Sequence, residues 1–171
     1  MDADQLRALQ APLKARYRET PEAARITLRA EGRTGEAVTC SVATGRALVE
    51  AGLHPATGGT GLTACSGDML LEALVACAGV TLNAVATAVG VALRAGIVRA
   101  EGNLDFRGTL GVDRTVAVGF QAIRLEFALD TDASDEDLDT LIGLTERHCV
   151  VLQTLRVPPT VAVTRGPGTG H

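Results

Sequence analysis

Apolar residues recur at helical intervals in three parts of the chain. The first predicted helix covers residues 3–17, although Pro12 weakens it because proline cannot donate a backbone hydrogen bond. The longest predicted helix has Ser66 as its N-cap and runs through residues 69–89. The third begins after Ser134, an N-cap followed by acidic residues, and it continues, straight or kinked, towards Pro158–Pro159.

Short runs of alternating apolar and polar residues predict an antiparallel sheet between these helices. The first two strands form a hairpin whose turn spans residues 31–36, and residues 51–64 form a glycine-rich connection. The predicted strands cover residues 26–28, 37–42, 45–50, 97–107, 117–130 and 160–163. This pattern predicts an α+β fold, with a single domain over residues 1–171 and a flexible tail at residues 166–171.

The helix predicted over residues 69–89 is apolar on nearly every face. Ser66 is suited to be its N-cap, and Gly90 is suited to end it in the left-handed conformation. An all-round apolar helix must be buried on most sides, but at about 35 Å it is longer than one small domain covers. Small residues such as Ala73 and Gly79 permit close approach of a second helix. The pattern therefore predicts a homodimer.

The composition disfavours several classes of function. The net charge is −4 and only 2% of the residues are aromatic, so we expect neither a phosphate-binding surface nor a base-stacking platform, and no nucleic-acid partner. The longest apolar run ends at Asn83, short of the ~20 residues of a membrane span. The acidic N-terminus does not resemble a signal peptide. We therefore expect a cytoplasmic protein with no membrane partner.

The chain contains four cysteines, Cys40, Cys65, Cys77 and Cys149, too few for a disulfide scaffold. In a reducing compartment a specialised cysteine would be catalytic, redox-active or metal-bound. The spacing matches no zinc motif, and the glycine-rich connection lacks the Gly-Lys-Ser/Thr ending of a nucleotide-binding loop. We therefore predict no metal and no cofactor. If only their spacing is considered, the cysteines are interpreted as small apolar residues of the core.

Two segments around the cysteines change this interpretation. Residues 65–82, Cys-Ser-Gly-Asp-Met-Leu-Leu-Glu-Ala-Leu-Val-Ala-Cys-Ala-Gly-Val-Thr-Leu, resemble the first-cysteine helix of the OsmC/Ohr family. Residues 146–155, Glu-Arg-His-Cys-Val-Val-Leu-Gln-Thr-Leu, resemble its second-cysteine segment, and the order of elements matches over residues 24–165. The resemblance implies an OsmC-like fold, an intertwined homodimer in which the sheets wrap around long central helices.

The resemblance also implies an activity. Peroxidases of this family reduce organic hydroperoxides with a cysteine pair at the subunit interface. Carried over to this chain, Cys77 would be the peroxidatic thiol and Cys149 the resolving thiol. In such chemistry a thiolate attacks the O–O bond, becomes a sulfenic acid and condenses with the second thiol to a disulfide, which a thiol or dithiol reductant opens.

The thiolate of Cys77 needs stabilisation, because this residue lies about ten residues beyond the start of its helix and a helix dipole acts mainly in the first turn. The family supplies an arginine held by a glutamate, and Arg33 resembles the arginine in a turn of one branch; the alternative is that Arg33 is simply exposed. The glutamate position holds Gly67 instead, and helical geometry turns Asp68 and Glu72 away from Cys77. This departure favours a less characterised OsmC-like branch.

The sequence leaves three functions open. The first is thiol-dependent reduction of organic hydroperoxides through Cys77 and Cys149. The second is a non-enzymatic protein that binds a small apolar or electrophilic ligand in the dimer cleft. The third is a structural or regulatory dimer whose cysteines only fill the core.

Overall fold

The computed structural model describes residues 3–35, 39–42, 51–159 and 161. Its elements are α1 (Ala3–Glu19), β1 (Arg25–Gly35), β2 (Thr39–Val42), α2 (Ser66–Val89), β3 (Ala95–Asp105), α3 (Phe106–Thr109), β4 (Phe120–Asp130), α4 (Asp135–His148) and α5 (Val150–Thr154). Helices and one antiparallel sheet confirm the predicted α+β class. The predicted strand at residues 45–50, nearly all of that at 160–163, and the tail lie outside the described residues.

The sheet is antiparallel throughout, with strand order β2-β1-β3-β4. Buried and less buried residues alternate along β3, and Val98 and Ala100 are completely buried on the face towards the helices. Leu125 and Phe127 of β4 pair with these two residues and pack on the same core. Alternation with a period of two therefore places one face of the sheet in the core.

The two long strands predicted at residues 97–107 and 117–130 are present, but with shifted ends. β3 ends at Asp105, whose carboxylate accepts a hydrogen bond from the backbone N–H of Arg107 at 3.0 Å. This cap begins the short helix α3 in place of the predicted last strand residues.

The hairpin turn predicted at residues 31–36 is wrong, because β1 continues through most of it to Gly35. The backbone of Arg33 lies between two strands and pairs with Ile97 on one side and Ser41 on the other. Hydrogen bonds to strands on both sides stabilise an extended backbone through glycines whose local preference is for a turn.

The long helix α2 carries the core of the domain on one face, which packs against β1, β3 and α4. Five of its side chains are completely buried: Leu71, Leu74, Val75, Ala78 and Leu82. Its N-cap is Cys65, one residue before the predicted Ser66, and its end at Gly90 is confirmed by a φ of 77°. By length and composition alone this helix could span a membrane. Its buried face, however, packs within the core of the domain.

The first helix fixes the glycine-rich connection that leads into α2. The Tyr17 hydroxyl donates to the carbonyl of Ala56 at 2.6 Å, and the Gln10 side chain donates to the carbonyl of Thr57 at 3.2 Å. These contacts lie on both sides of Pro12 along α1, which runs through the proline without interruption. Tertiary contacts therefore outweigh the loss of one helical hydrogen bond.

Candidate active site

The second cysteine lies at a kink between two helices. Ser134 Oγ accepts a hydrogen bond from the N–H of Asp137, which confirms the predicted N-cap of α4. The helix ends at His148, and Cys149 leaves the helical conformation with φ −70° and ψ 107°. Cys149 is at once the C-cap of α4 and the N-cap of α5, so the kinked form of the predicted helix is the one observed.

Cys77 lies at the border between the buried and exposed faces of α2. Its neighbours Val75 and Ala78 are completely buried, whereas Cys77 itself is partly buried and packs against the core that contains Cys149. Cys149 is 0% exposed, so only the first of the two thiols is open to a molecule from outside. The helix α5 packs on α2 at this place.

Several hydrogen-bond donors face the sulfur of Cys77 and shift its pKa. Burial raises the pKa of the Cys77 thiol, but the N–H of Val151, the thiol of Cys149, the hydroxyl of Thr81 and the N–H of Val150 donate to it and lower its pKa. The donors prevail, and the pKa of Cys77 lies below the ordinary value of a thiol. These donors are neutral groups that stabilise a thiolate by hydrogen bonding.

The pKa of Cys149 moves in the opposite direction. Burial raises the pKa of this thiol, the N–H of Leu152 opposes the change, and the neighbouring Cys77 raises the pKa further. Cys149 therefore keeps its proton and donates it in a hydrogen bond to Cys77. The pair consists of one thiol disposed to ionise and one that stays protonated.

The other residues predicted for the site are Arg33, Asp68 and Glu72. The backbone of Arg33 lies in β1, but its side chain lies outside the described residues, so its role in activating Cys77 stays a prediction. Asp68 and Glu72 line a separate cleft of about 330 Å³ together with Cys65. This agrees with the helical geometry that turned both carboxylates away from Cys77.

The sequence did not predict three of the donors to Cys77: the N–H groups of Val150 and Val151 and the hydroxyl of Thr81. It required a cation because Cys77 is far from the N-terminus of its own helix, whereas the amides of Val150 and Val151 come from the beginning of another helix. Backbone amides leave no signature in the sequence. Thr81 could have been found, because it follows Cys77 by one helical turn.

Within the described ranges, no three His, Cys, Asp or Glu side chains lie close enough together to hold a metal ion. Cys65, Cys77 and Cys149, whose side chains the structure describes, are free thiols.

The comparisons with known proteins agree with this architecture. The family model of the OsmC-like protein matches residues 59–164. This match covers both cysteine segments and more than half of the chain, and the protein belongs to the OsmC-like family. A search of curated proteins gives no match.

Two solved structures share the fold. An OsmC-like hydroperoxide resistance protein from Jannaschia sp. CCS1 has a TM-score of 0.62 and 15% identity, over 86% of this chain and 97% of its own. An OsmC-like protein from Mycoplasma pneumoniae has a TM-score of 0.53 and 17% identity, over 77% of this chain and 85% of its own. At such identities the likeness establishes the fold alone.

Proposed function

We propose that this protein reduces organic hydroperoxides, with Cys77 as the attacking thiol and Cys149 as the resolving thiol. The observation that carries the proposal is the pairing of two thiols at the kink: buried Cys149 lies against the partly exposed Cys77, whose sulfur also faces the Val150 and Val151 amides. The lowered pKa of Cys77, caused by these donors, supports the same assignment. The attacking cysteine must be a thiolate, whereas the resolving thiol reacts only after the sulfenic acid has formed. The hydroperoxide resistance protein with the same fold supports the same chemistry.

The reaction balances without a metal or a cofactor. The Cys77 thiolate attacks the outer oxygen of R–O–OH, the O–O bond breaks, and the alkoxide leaves and takes a proton as the alcohol. Cys77 is then a sulfenic acid, two electrons more oxidised than the thiol. Cys149 attacks its sulfur, water leaves, and the resulting disulfide is reduced by two electrons from an external dithiol or two thiols.

The surface beside Cys77 favours an apolar substrate. Leu70 lies two helical turns before Cys77 on the same side of α2 and is 36% exposed. Val150 of α5, whose N–H donates to Cys77, is 70% exposed. Apolar side chains at the entrance favour an alkyl or aryl hydroperoxide over hydrogen peroxide, because burying the organic group stabilises the complex.

We also propose that two subunits pack through the exposed face of α2. One side of this helix carries a continuous stripe of small and apolar residues that are exposed or half-buried: Met69, Ala73, Ala76, Val80 and Ala84. This stripe lies opposite the face that fills the core, and exposed apolar surface of this extent is typical of an interface.

Light scattering at micromolar concentration should give twice the monomer mass of 17.6 kDa. A stable monomer would contradict the proposal.

Turnover of cumene hydroperoxide with dithiothreitol tests the proposed activity. We expect catalytic consumption of the hydroperoxide that exceeds the background rate of the dithiol, and a weaker response to hydrogen peroxide. Consumption no faster than background, together with saturable binding of an apolar fluorescent probe, would favour the alternative of a non-enzymatic ligand-binding protein.

A further inference from the structure

The short helix α5 presents two backbone amides to Cys77, and Val151 and Leu152 hold it by partial packing on the core. Within Val150–Thr154, all of which the structure describes, no side chain is fully buried. A single helical turn is unstable without support from its surroundings. The orientation of the Val150 and Val151 amides therefore depends on this partial packing together with specific contacts at the kink.

One such contact replaces a hydrogen bond that the kink removes. In a continuous helix the N–H of Val150 would donate to the carbonyl of Glu146, four residues earlier. At the kink the Val150 amide donates to Cys77 instead. The side-chain amide of Gln153 takes its place and donates to the Glu146 carbonyl at 2.7 Å.

Gln153 also holds the other side of the kink. Its backbone N–H donates to the carbonyl of Cys149 at 3.0 Å, and the N–H of Cys149 donates to Thr145 at 2.9 Å. The same residue therefore satisfies a carbonyl at the end of α4 and closes the first turn of α5. Its side chain is half-buried and reaches back across the kink.

We propose that Gln153 is a positioning residue for Cys77: by satisfying the Glu146 carbonyl it keeps the chain kinked and leaves the Val150 amide free to donate to the thiolate. Without this side chain the Glu146 carbonyl would compete for the Val150 amide, and α4 could extend through Cys149. The effect on the thiol is independent of the proposed activity. Its consequence for catalysis rests on the proposed hydroperoxide reduction.

The test measures the rate at which iodoacetamide alkylates Cys77 in the full-length protein as a function of pH, with the modified cysteine identified by peptide mapping. Gln153→Met keeps the length of the side chain and removes the donor. We expect alkylation of Cys77 at pH 7 to slow by roughly three- to tenfold and the midpoint of its pH profile to move upward. Among the described side chains that contact Cys77, Cys149 is the other titratable group.

Two further variants separate positioning from a general loss of stability. Gln153→Asn keeps the amide but is one carbon shorter, so it should behave like Gln153→Met. Gln10→Met removes a comparable amide–carbonyl hydrogen bond, between α1 and Thr57, and should leave the pH profile of Cys77 unchanged. A Gln153→Met profile that superimposes on the wild type, or a Gln10→Met profile that moves equally, would overturn the proposal.

The alkylation assay contains no hydroperoxide, so its outcome is independent of the proposed activity. If the alkylation profile of Gln153→Met shifts but the protein does not reduce hydroperoxides, Gln153 is a positioning residue and the proposed function is wrong. Hydroperoxide turnover with an unchanged profile would retain the function and reject the role of Gln153.

Discussion

Replacing Cys77 by serine is expected to lower hydroperoxide turnover by roughly 10³-fold or more, down to the background of the reductant. A serine hydroxyl is not ionised near neutral pH and cannot form a sulfenic acid, so both the attack and the later disulfide are lost. The measurement is consumption of cumene hydroperoxide with dithiothreitol at fixed protein concentration.

Two cysteine variants are the controls for this experiment. Cys65 lies in a different cleft with Asp68 and Glu72, so Cys65→Ser should retain the turnover of the wild type. Cys149→Ser removes the thiol that donates to Cys77, so one equivalent of hydroperoxide should leave a sulfenic acid at Cys77 and form no disulfide within the chain. Turnover that survives in Cys77→Ser would place the nucleophile elsewhere.

The substitution with the largest expected effect on stability is Asp105→Asn. The Asp105 side chain is 1% exposed. Besides the backbone N–H of Arg107, its carboxylate accepts hydrogen bonds from the guanidinium of the same residue, at 3.1 Å from Nε to both oxygens and at 2.6 Å from a terminal nitrogen. Arg25 lies 3.8 Å away. Removing the charge leaves the Arg107 guanidinium with the more distant Asp113, at 3.9 Å, in place of its close partner, so the free energy of unfolding should fall by about 3 kcal/mol.

The pH dependence of this effect follows from the pKa of Asp105. Hydrogen bonds from Arg107 hold the pKa of this carboxyl below its ordinary value against the opposing effect of burial. The unfolded chain therefore binds this proton more readily than the folded chain. The contribution to stability is complete above about pH 4 and is lost as the pH falls through the folded pKa.

Urea unfolding over a pH series, at constant protein concentration, measures both effects. The wild type should lose stability below about pH 4 more steeply than Asp105→Asn, and the two should converge in acid. Asp130→Asn is the matched control, because it changes an ion pair with Arg94 in which both side chains are more than half exposed. Equal effects of the two substitutions near neutral pH would show that burial of Asp105 contributes nothing.

Elements with a strong local signal could be predicted from the sequence, and those that depend on distant partners could not. The helix α2 combines a long apolar run with Gly90 at its end, so its extent was predictable nearly to the residue. The turn predicted around Arg33 failed because β2 and β3, distant from each other along the chain, hold β1 extended from both sides. No local propensity reports such pairing.

The same distinction between local signals and distant partners applies to the residues of the candidate site. Cys77 and Cys149 could be singled out because the segments around them resemble a known family. The stabilisation of Cys77 by amides could not, because it depends on a kink at Cys149 that neither proline nor glycine marks in the sequence. The buried pair of Asp105 and Arg107 was also missed, since charged residues two positions apart in a strand usually belong to a solvated face.

Peptide mapping after treatment with stoichiometric cumene hydroperoxide tests the pairing of Cys77 and Cys149 most directly. The account predicts a disulfide between these two residues within one chain, with Cys40 and Cys65 still open to alkylation. The bond should disappear on addition of dithiothreitol. A disulfide that includes Cys65, or sulfinic acid at Cys77 before any disulfide forms, would contradict the assignment of an attacking and a resolving thiol.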